Sequence, residues 1–271
     1  MARARIASAV ALMLGMAVSS VAEAALEPHR AAYRLTLAAK QQVTPLSDVR
    51  GGLVIEWERA CDGWLSQQRL FFMARSEEGD QFGQDVRYSS WEASDGRRMR
   101  YSVRSFEGEV LQEEYRGEAR VDPGDGGIAT FSTPPDEEVA LPPGTIFPTD
   151  HMERVLSAAD EGVRVISHEV FDGWGLDALT QITSVIGPPR MLEPIAGEAG
   201  EQTSGDQAGG GRAWPVSMAY YNEAKGADLP EFEASFLLTQ GGVLRDLMLD
   251  YGEFKLDAVL ERLELLTPPD C

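Results

Sequence analysis

The sequence has little of what catalytic and metal centres are usually made from. It holds two cysteines and three histidines, His29, His151 and His168. No H-E-x-x-H, no histidine pair at i, i+4 and no short Cys/His spacing occurs, so a closed metal site would need remote residues. The serine-hydrolase elbow G-x-S-x-G is absent, and so are G-x-G-x-x-G and the phosphate-cradling G-x-x-x-x-G-K. Basic residues are scarce as well, with 24 Lys and Arg against 44 Asp and Glu, a net charge of -20. Such an excess of carboxylates repels nucleic acid and anionic surfaces at long range, although a locally basic patch stays open. Beyond the first two dozen positions no apolar run approaches the roughly 20 residues that span a bilayer as a helix.

Hydrophobic residues make up 43% of the 271-residue chain and charged residues 25%, as in an ordinary folded domain. Residues 1–24 begin with Arg3 and Arg5, continue through an apolar run from Ile6 to Val18, and end in Ala22-Glu23-Ala24. This is the pattern of a cleavable signal peptide, with cleavage expected between Ala24 and Ala25. An uncut membrane anchor is the alternative. The mature chain, 25–271, is then one domain with a net charge of -21, exported to an oxidising compartment. In an oxidising compartment Cys61 and Cys271 are expected to pair, closing a loop of about 210 residues. Unpaired thiols or an intermolecular bridge are the other readings; a catalytic dithiol would place its cysteines closer, as in C-x-x-C.

Period-2 alternation dominates. Tyr33, Leu35 and Leu37 alternate with Arg34 and Thr36. Leu53, Ile55 and Trp57 do so with Val54, Glu56 and Glu58, and Met99, Tyr101 and Val103 with Arg98, Arg100, Ser102 and Arg104. Turn signals at Asp62-Gly63, Asp95-Gly96, Glu107-Gly108, Pro123 to Gly127 and Gly241-Gly242 join these runs, so 29–131 reads as an antiparallel meander. Further strands are expected at 163–171, 178–186, 214–221, 231–239 and 243–251. One helix is expected from a Thr149 cap to Gly162, carrying Met152, Val155, Leu156 and Ala159 on one face. The prolines at 134, 135, 142, 143 and 148 should take the chain across the outside of the sheet. Residues 255–266 suit strand or helix equally, and 194–211, rich in Gly and Pro, reads as a flexible insert.

Three further features were weighed for chemistry. Asp150-His151 lies at the opening of the helix, where Asp150 adds favourable charge to the N-terminus and His151 packs or is solvated. Asp122 and Asp125 lack the spacing of a calcium loop and read as a turn. The aromatic residues of the alternating runs read as core, yet a curved sheet around a helix can leave an apolar hollow. Tyr33, Trp57 and Tyr101 are the candidates for ligand contacts on such a concave face.

The segments PHRAAYRLTL from Pro28, DVRGGLVIEWERACDGW from Asp48, LPPGTIFPTDH from Leu141, VFDGWG from Val170, WPVSMAYY from Trp214 and DYGEF from Asp250 occur in this order along nearly the whole mature chain. Together they resemble the EipB family of periplasmic envelope-integrity proteins. The resemblance implies a mainly β fold: a β-spiral, in which a strongly bent antiparallel sheet coils into an oval cylinder with one principal α-helix. It also implies one disulfide at the positions of Cys61 and Cys271. The glycine-rich stretch 197–211 stands as an insertion in the pattern. For function the resemblance implies a non-enzymatic periplasmic protein that supports cell-envelope integrity. Export, the cysteine pair, the strand periodicity and the missing catalytic motifs point to action through binding. Its expected partner is another periplasmic protein or an envelope lipid component, with no cofactor and no nucleic acid. Carriage of lipid or lipoprotein acyl chains is the sharper alternative, and a hydrolase assembled from His151 and His168 the remote one.

Overall fold

The computed structural model describes residues 24–38, 44–122, 124–195, 209–222 and 229–271. Residues 1–23 of the expected signal peptide and 196–208 of the expected insert lie outside the described residues. Seven strands form the expected meander: β1 (His29–Leu37), β2 (Leu46–Ala60), β3 (Gly63–Ser76), β4 (Gln81–Ala93), β5 (Arg98–Glu107), β6 (Val110–Asp122) and β7 (Gly126–Thr133). They continue into β8 (Pro135–Leu141), and the helix α1 (Pro148–Glu161) follows. The second half adds β9 (Val165–Phe171), β10 (Leu179–Ile186), the short β11 (Arg190–Leu192), β12 (Gly211–Tyr221), β13 (Phe232–Thr239), β14 (Leu244–Asp250) and β15 (Lys255–Leu265).

All strands belong to one antiparallel sheet with the order β8-β7-β6-β5-β4-β3-β2-β1-β15-β14-β13-β12-β10-β9, and β11 pairs β12 beside this path. The chain therefore grows outward in both directions from the pairing of β1 with β15, His29 opposite Leu265 and Leu37 opposite Leu256. The bent sheet nearly closes. Ile146, just before the helix, exchanges hydrogen bonds with β9 through Glu169 O and Phe171 N, each 3.0 Å, and so links the two ends of the sheet. The β-spiral implied by the family resemblance is the fold that forms.

Two local expectations are corrected, and one open alternative is decided. Pro135 opens a strand where the prolines were expected to leave the sheet; β8 is a terminal strand of the sheet, where a residue without an N–H costs no ladder bond. The helix begins two residues earlier than expected, with Phe147 at the N-cap and Pro148 at the first helical position, so Thr149 does not cap it. Its end is as expected: Gly162 adopts φ 78° and its N–H closes the helix on Ala158 and Ala159 carbonyls. Residues 255–265 are strand, because Leu256 and Ala258 bury their side chains between neighbouring strands while Val259, needed for a helical stripe, is 46% exposed.

Strand ends sort into two rims. At one rim, where β2 turns into β3 and β4 into β5, the helix fills the interior: Val155 and Leu156 are buried in the larger of two hydrophobic clusters. Burial of such a side chain contributes about 2 kcal/mol. Polar contacts anchor the helix around this rim. Trp64 Nε1 donates to Glu153 Oε1 at 2.9 Å, and Arg212 of β12 pairs with Asp160. A second cluster, built on Met99, Tyr101, Phe131, Phe147 and Phe171, fills the space under β5 to β7. Cys61, in the β2–β3 turn, is bonded to Cys271 with Cα atoms 5.6 Å apart.

Candidate functional site

The opposite rim is lined by a chain of aromatic rings. Tyr220 at the end of β12 lies 5.1 Å from Phe232, Phe232 lies 5.0 Å from Tyr251, and Tyr251 stacks on Phe254 at 4.9 Å. These rings come from the β12–β13 and β14–β15 connections, which the antiparallel register brings to one end of the cylinder. Leu37, Leu70 and Phe82 join them from β1, β3 and β4, all only partly buried against the larger core. Further in, Gln68 on β3 and Gln84, Val86 and Tyr88 on β4 are also only half-buried, whereas Ser66, Ser90 and Glu92 toward the helix are buried. The interior is thus packed on the helix side and looser toward the aromatic rim.

Several polar groups lie near this interior and the second cluster. The hydroxyls of Tyr88 and Tyr101 have no hydrogen-bond partner among the described residues. Burial pushes both phenols well above their ordinary value. Asp172, in the turn after β9, accepts from the Trp174 N–H at 2.8 Å. Burial nevertheless raises its carboxyl to about 6, and the residue keeps some accessible surface while protein surrounds it. Gly173, at φ 79°, lies flat on the Tyr101 ring; a Cβ there would come within 2.4 Å of it. Tyr88 and Asp172 are thus half-buried, while the Tyr101 ring is packed against Gly173 in the second cluster.

On the helix side two buried clusters are complete. Glu92 of β4 accepts from the Thr149 N–H at 2.9 Å and the Thr149 hydroxyl at 2.8 Å, holding the first turn of α1 in place of a side-chain cap. Desolvation raises its carboxyl to about 7 against these hydrogen bonds. His151 and His168, 17 residues apart, meet with their Nδ1 atoms at 3.2 Å, and Ser184 Oγ lies 3.3 Å from His151 Nε2. Ser184 and His151 are buried, at 0% and 3% exposure, and His168 is half-buried. Asp150 turns away to Arg154 at 2.9 Å. Among the described residues no group of three or more His, Cys, Asp or Glu is placed to hold a metal ion.

His151 predicts a pH dependence. Burial lowers its imidazole from 6.5 to about 4. The unfolded chain therefore binds a proton that the folded chain refuses, and the stability from this group is complete above pH 6.5 and lost as pH falls toward 4. Between pH 7 and 5 the loss is about 2 kcal/mol. Urea unfolding of His151→Gln should show that much less acid sensitivity than the parent; equal sensitivity would contradict the burial argument.

Of the residues singled out in the sequence, Tyr33 and Trp57 face inward but sit in packed core, at 3% and 5% exposure. The Tyr33 hydroxyl donates to Leu244 O at 2.9 Å, and Trp57 lies against the His29 ring. Tyr101 belongs to the second cluster and is not brought together with them. Phe232, Tyr251 and Phe254 were missed. Alternation tells which face of a strand is inward, not how far along the cylinder a residue lies, and two of the three sit in a turn.

A family model described as EipB-like matches residues 20–267. The chain is 29% identical to the cell envelope integrity protein EipB of Brucella abortus (strain 2308) over 252 residues, covering 92% of this chain and 88% of that protein. A crystal structure of a β-barrel-like protein of unknown function from Brucella abortus superposes with a TM-score of 0.78 at 27% identity, covering 90% of this chain and all of the other. Coils of the same sheet, matched over nearly the whole length by sequence and by structure, leave one assignment: the chain belongs to the EipB-like family.

Proposed function

We propose that this protein supports cell-envelope integrity from the periplasm, without catalysis, by binding another periplasmic protein or an envelope lipid component. The name of the Brucella relative supports the envelope role. The charged start, apolar run and Ala22-Glu23-Ala24 support export. The observation that carries the binding reading is the aromatic rim, Tyr220, Phe232, Tyr251 and Phe254, only partly buried at the end of the cylinder opposite the helix. Apolar rings at the mouth of a curved sheet favour, as a second reading, an acyl chain of a lipid or lipoprotein as the bound group.

Native mass spectrometry of the protein released from the periplasm without detergent tests both. The expected chain starts at Ala25, is two hydrogens lighter than its reduced form and carries an adduct. A lipid-sized adduct selects the acyl reading and a protein adduct the other. Retention of residues 1–24 would overturn the exported form. A Phe232→Ala/Tyr251→Ala variant with undiminished adduct and intact envelope function would overturn the rim as the site.

A further inference from the structure

The outward face of β4 to β6 departs from the charge of the rest of the molecule. Where Met99, Tyr101 and Val103 point into the core, the alternate positions of β5 carry Arg98, Arg100 and Arg104 outward, and Arg87 on β4 and Arg116 and Arg120 on β6 join them. Three of these arginines have acids: Arg87 with Asp85 at 2.6 Å, Arg100 with Glu118 at 3.2 Å, and Arg116 with Glu114. Arg98, Arg104 and Arg120 have no acidic partner among the described residues. In register, Arg87 stands opposite Arg104 and Arg98 opposite Arg120. Like charges directly across a sheet destabilise it, and this chain carries 44 acids that leave the three arginines unneutralised.

An aromatic and an apolar side chain complete the patch. Trp91 of β4 has the guanidinium groups of Arg100 and Arg98 over its ring at 5.3 and 5.7 Å. Ile128 of β7, opposite Arg120, is 42% exposed. The face lies on the outside of a bent sheet, and the pocket between Trp91, Arg98, Arg100, Glu118 and Arg120 has a volume of only about 30 Å³, so it suits an extended surface better than a small enclosed ligand. Guanidinium forks bind phosphate oxygens in pairs, and tryptophan and arginine both settle at the headgroup level of bilayers.

We propose that the outer face of β4 to β6 docks on an anionic phospholipid surface, with Arg98, Arg104 and Arg120 on lipid phosphates and Trp91 and Ile128 at headgroup depth. The net charge of -21 of the mature chain does not prevent this. At about 0.1 M salt, charges more than about 10 Å away are screened, so the patch decides the contact, and the acidic remainder turns it toward the membrane. The inference is independent of what occupies the aromatic rim.

Co-sedimentation of the periplasmic form at about 0.1 M salt with vesicles of phosphatidylglycerol and phosphatidylcholine in equal parts, and with pure phosphatidylcholine vesicles, provides the test. Binding is expected only to the anionic vesicles. Each basic side chain near such a surface is worth about fivefold in partitioning, so R98Q/R104Q/R120Q should lose on the order of a hundredfold. A variant with the same charge change elsewhere, R50Q/R75Q/R190Q, should lose far less. No binding, equal binding to both vesicle types, or equal losses in the two variants would overturn the proposal. So would absence of vesicle binding together with binding of polyglutamate that R98Q/R104Q/R120Q abolishes, which would assign the face to an acidic protein.

Discussion

Replacing Cys61 by Ser is expected to lower the midpoint of thermal unfolding by on the order of 10 °C under oxidising conditions. The bond joins residues 210 apart in sequence. The chain-entropy model gives such a loop about 5 kcal/mol of stabilisation, an upper figure because unfolded chains keep some structure. The tertiary structure shows where the loss would be felt. After β15 the Leu266 N–H bonds to Pro28 O, and the remaining residues cross the start of β1 to reach the β2–β3 turn. Without the bond this tail is held by few contacts and frays, exposing the seam between β1 and β15 on which both halves of the sheet rest. Reduction of the parent protein should reproduce the shift. Matching midpoints for oxidised parent and Cys61→Ser would refute the stapling role.

Raising the pH from 5 to 8 should cost the parent about 2 kcal/mol relative to Glu92→Gln. Glu92 is 3% exposed and its carboxyl is raised from 4.5 to about 7 in the fold. Between these values the folded chain holds a proton that the unfolded chain has released, so this stabilisation is present at low pH and is lost as pH rises through 7. Asp172, raised to about 6, acts in the same direction, and His151 in the opposite one. These contributions offset one another in the parent, so each is visible only against its own variant. Chemical unfolding of parent and Glu92→Gln at several pH values isolates the Glu92 contribution; a stability difference constant with pH would sink it. Glu92→Ala should be less stable at every pH by about 2 to 3 kcal/mol, since it leaves the Thr149 N–H and hydroxyl buried without an acceptor.

Glu92 also shows why part of the molecule was not legible in the sequence. The helix expected from Thr149 to Gly162 is present, but the residue that holds its first turn is 57 positions upstream on a strand. Local capping rules search only the neighbouring residues, so they assigned the task to Thr149 itself. His151 and His168 are a similar case: neither spacing nor motif connects them, and they meet because α1 lies against β9 and β10. Pro135 shows the converse. The rule that proline leaves a sheet is sound for an inner strand, and only the strand order reveals that β8 is a terminal one.

What the sequence determined by itself was local and periodic. Alternation of apolar and polar side chains set the strands and their inward faces. Gly and Asp turns set the meander from 29 to 131, and two cysteines left only each other as partners within the chain. The resemblance of ordered motifs added the bent, spiral form. Only the tertiary structure decided the rest: the β1–β15 seam, the near closure through Ile146, the rim at which the helix sits and the rim that keeps its aromatics half-exposed. It also decided that Arg98, Arg104 and Arg120 share one outer face. Side-chain period reports orientation within a strand, while register, curvature and the meeting of residues far apart in sequence are properties of the whole sheet once its strands have paired.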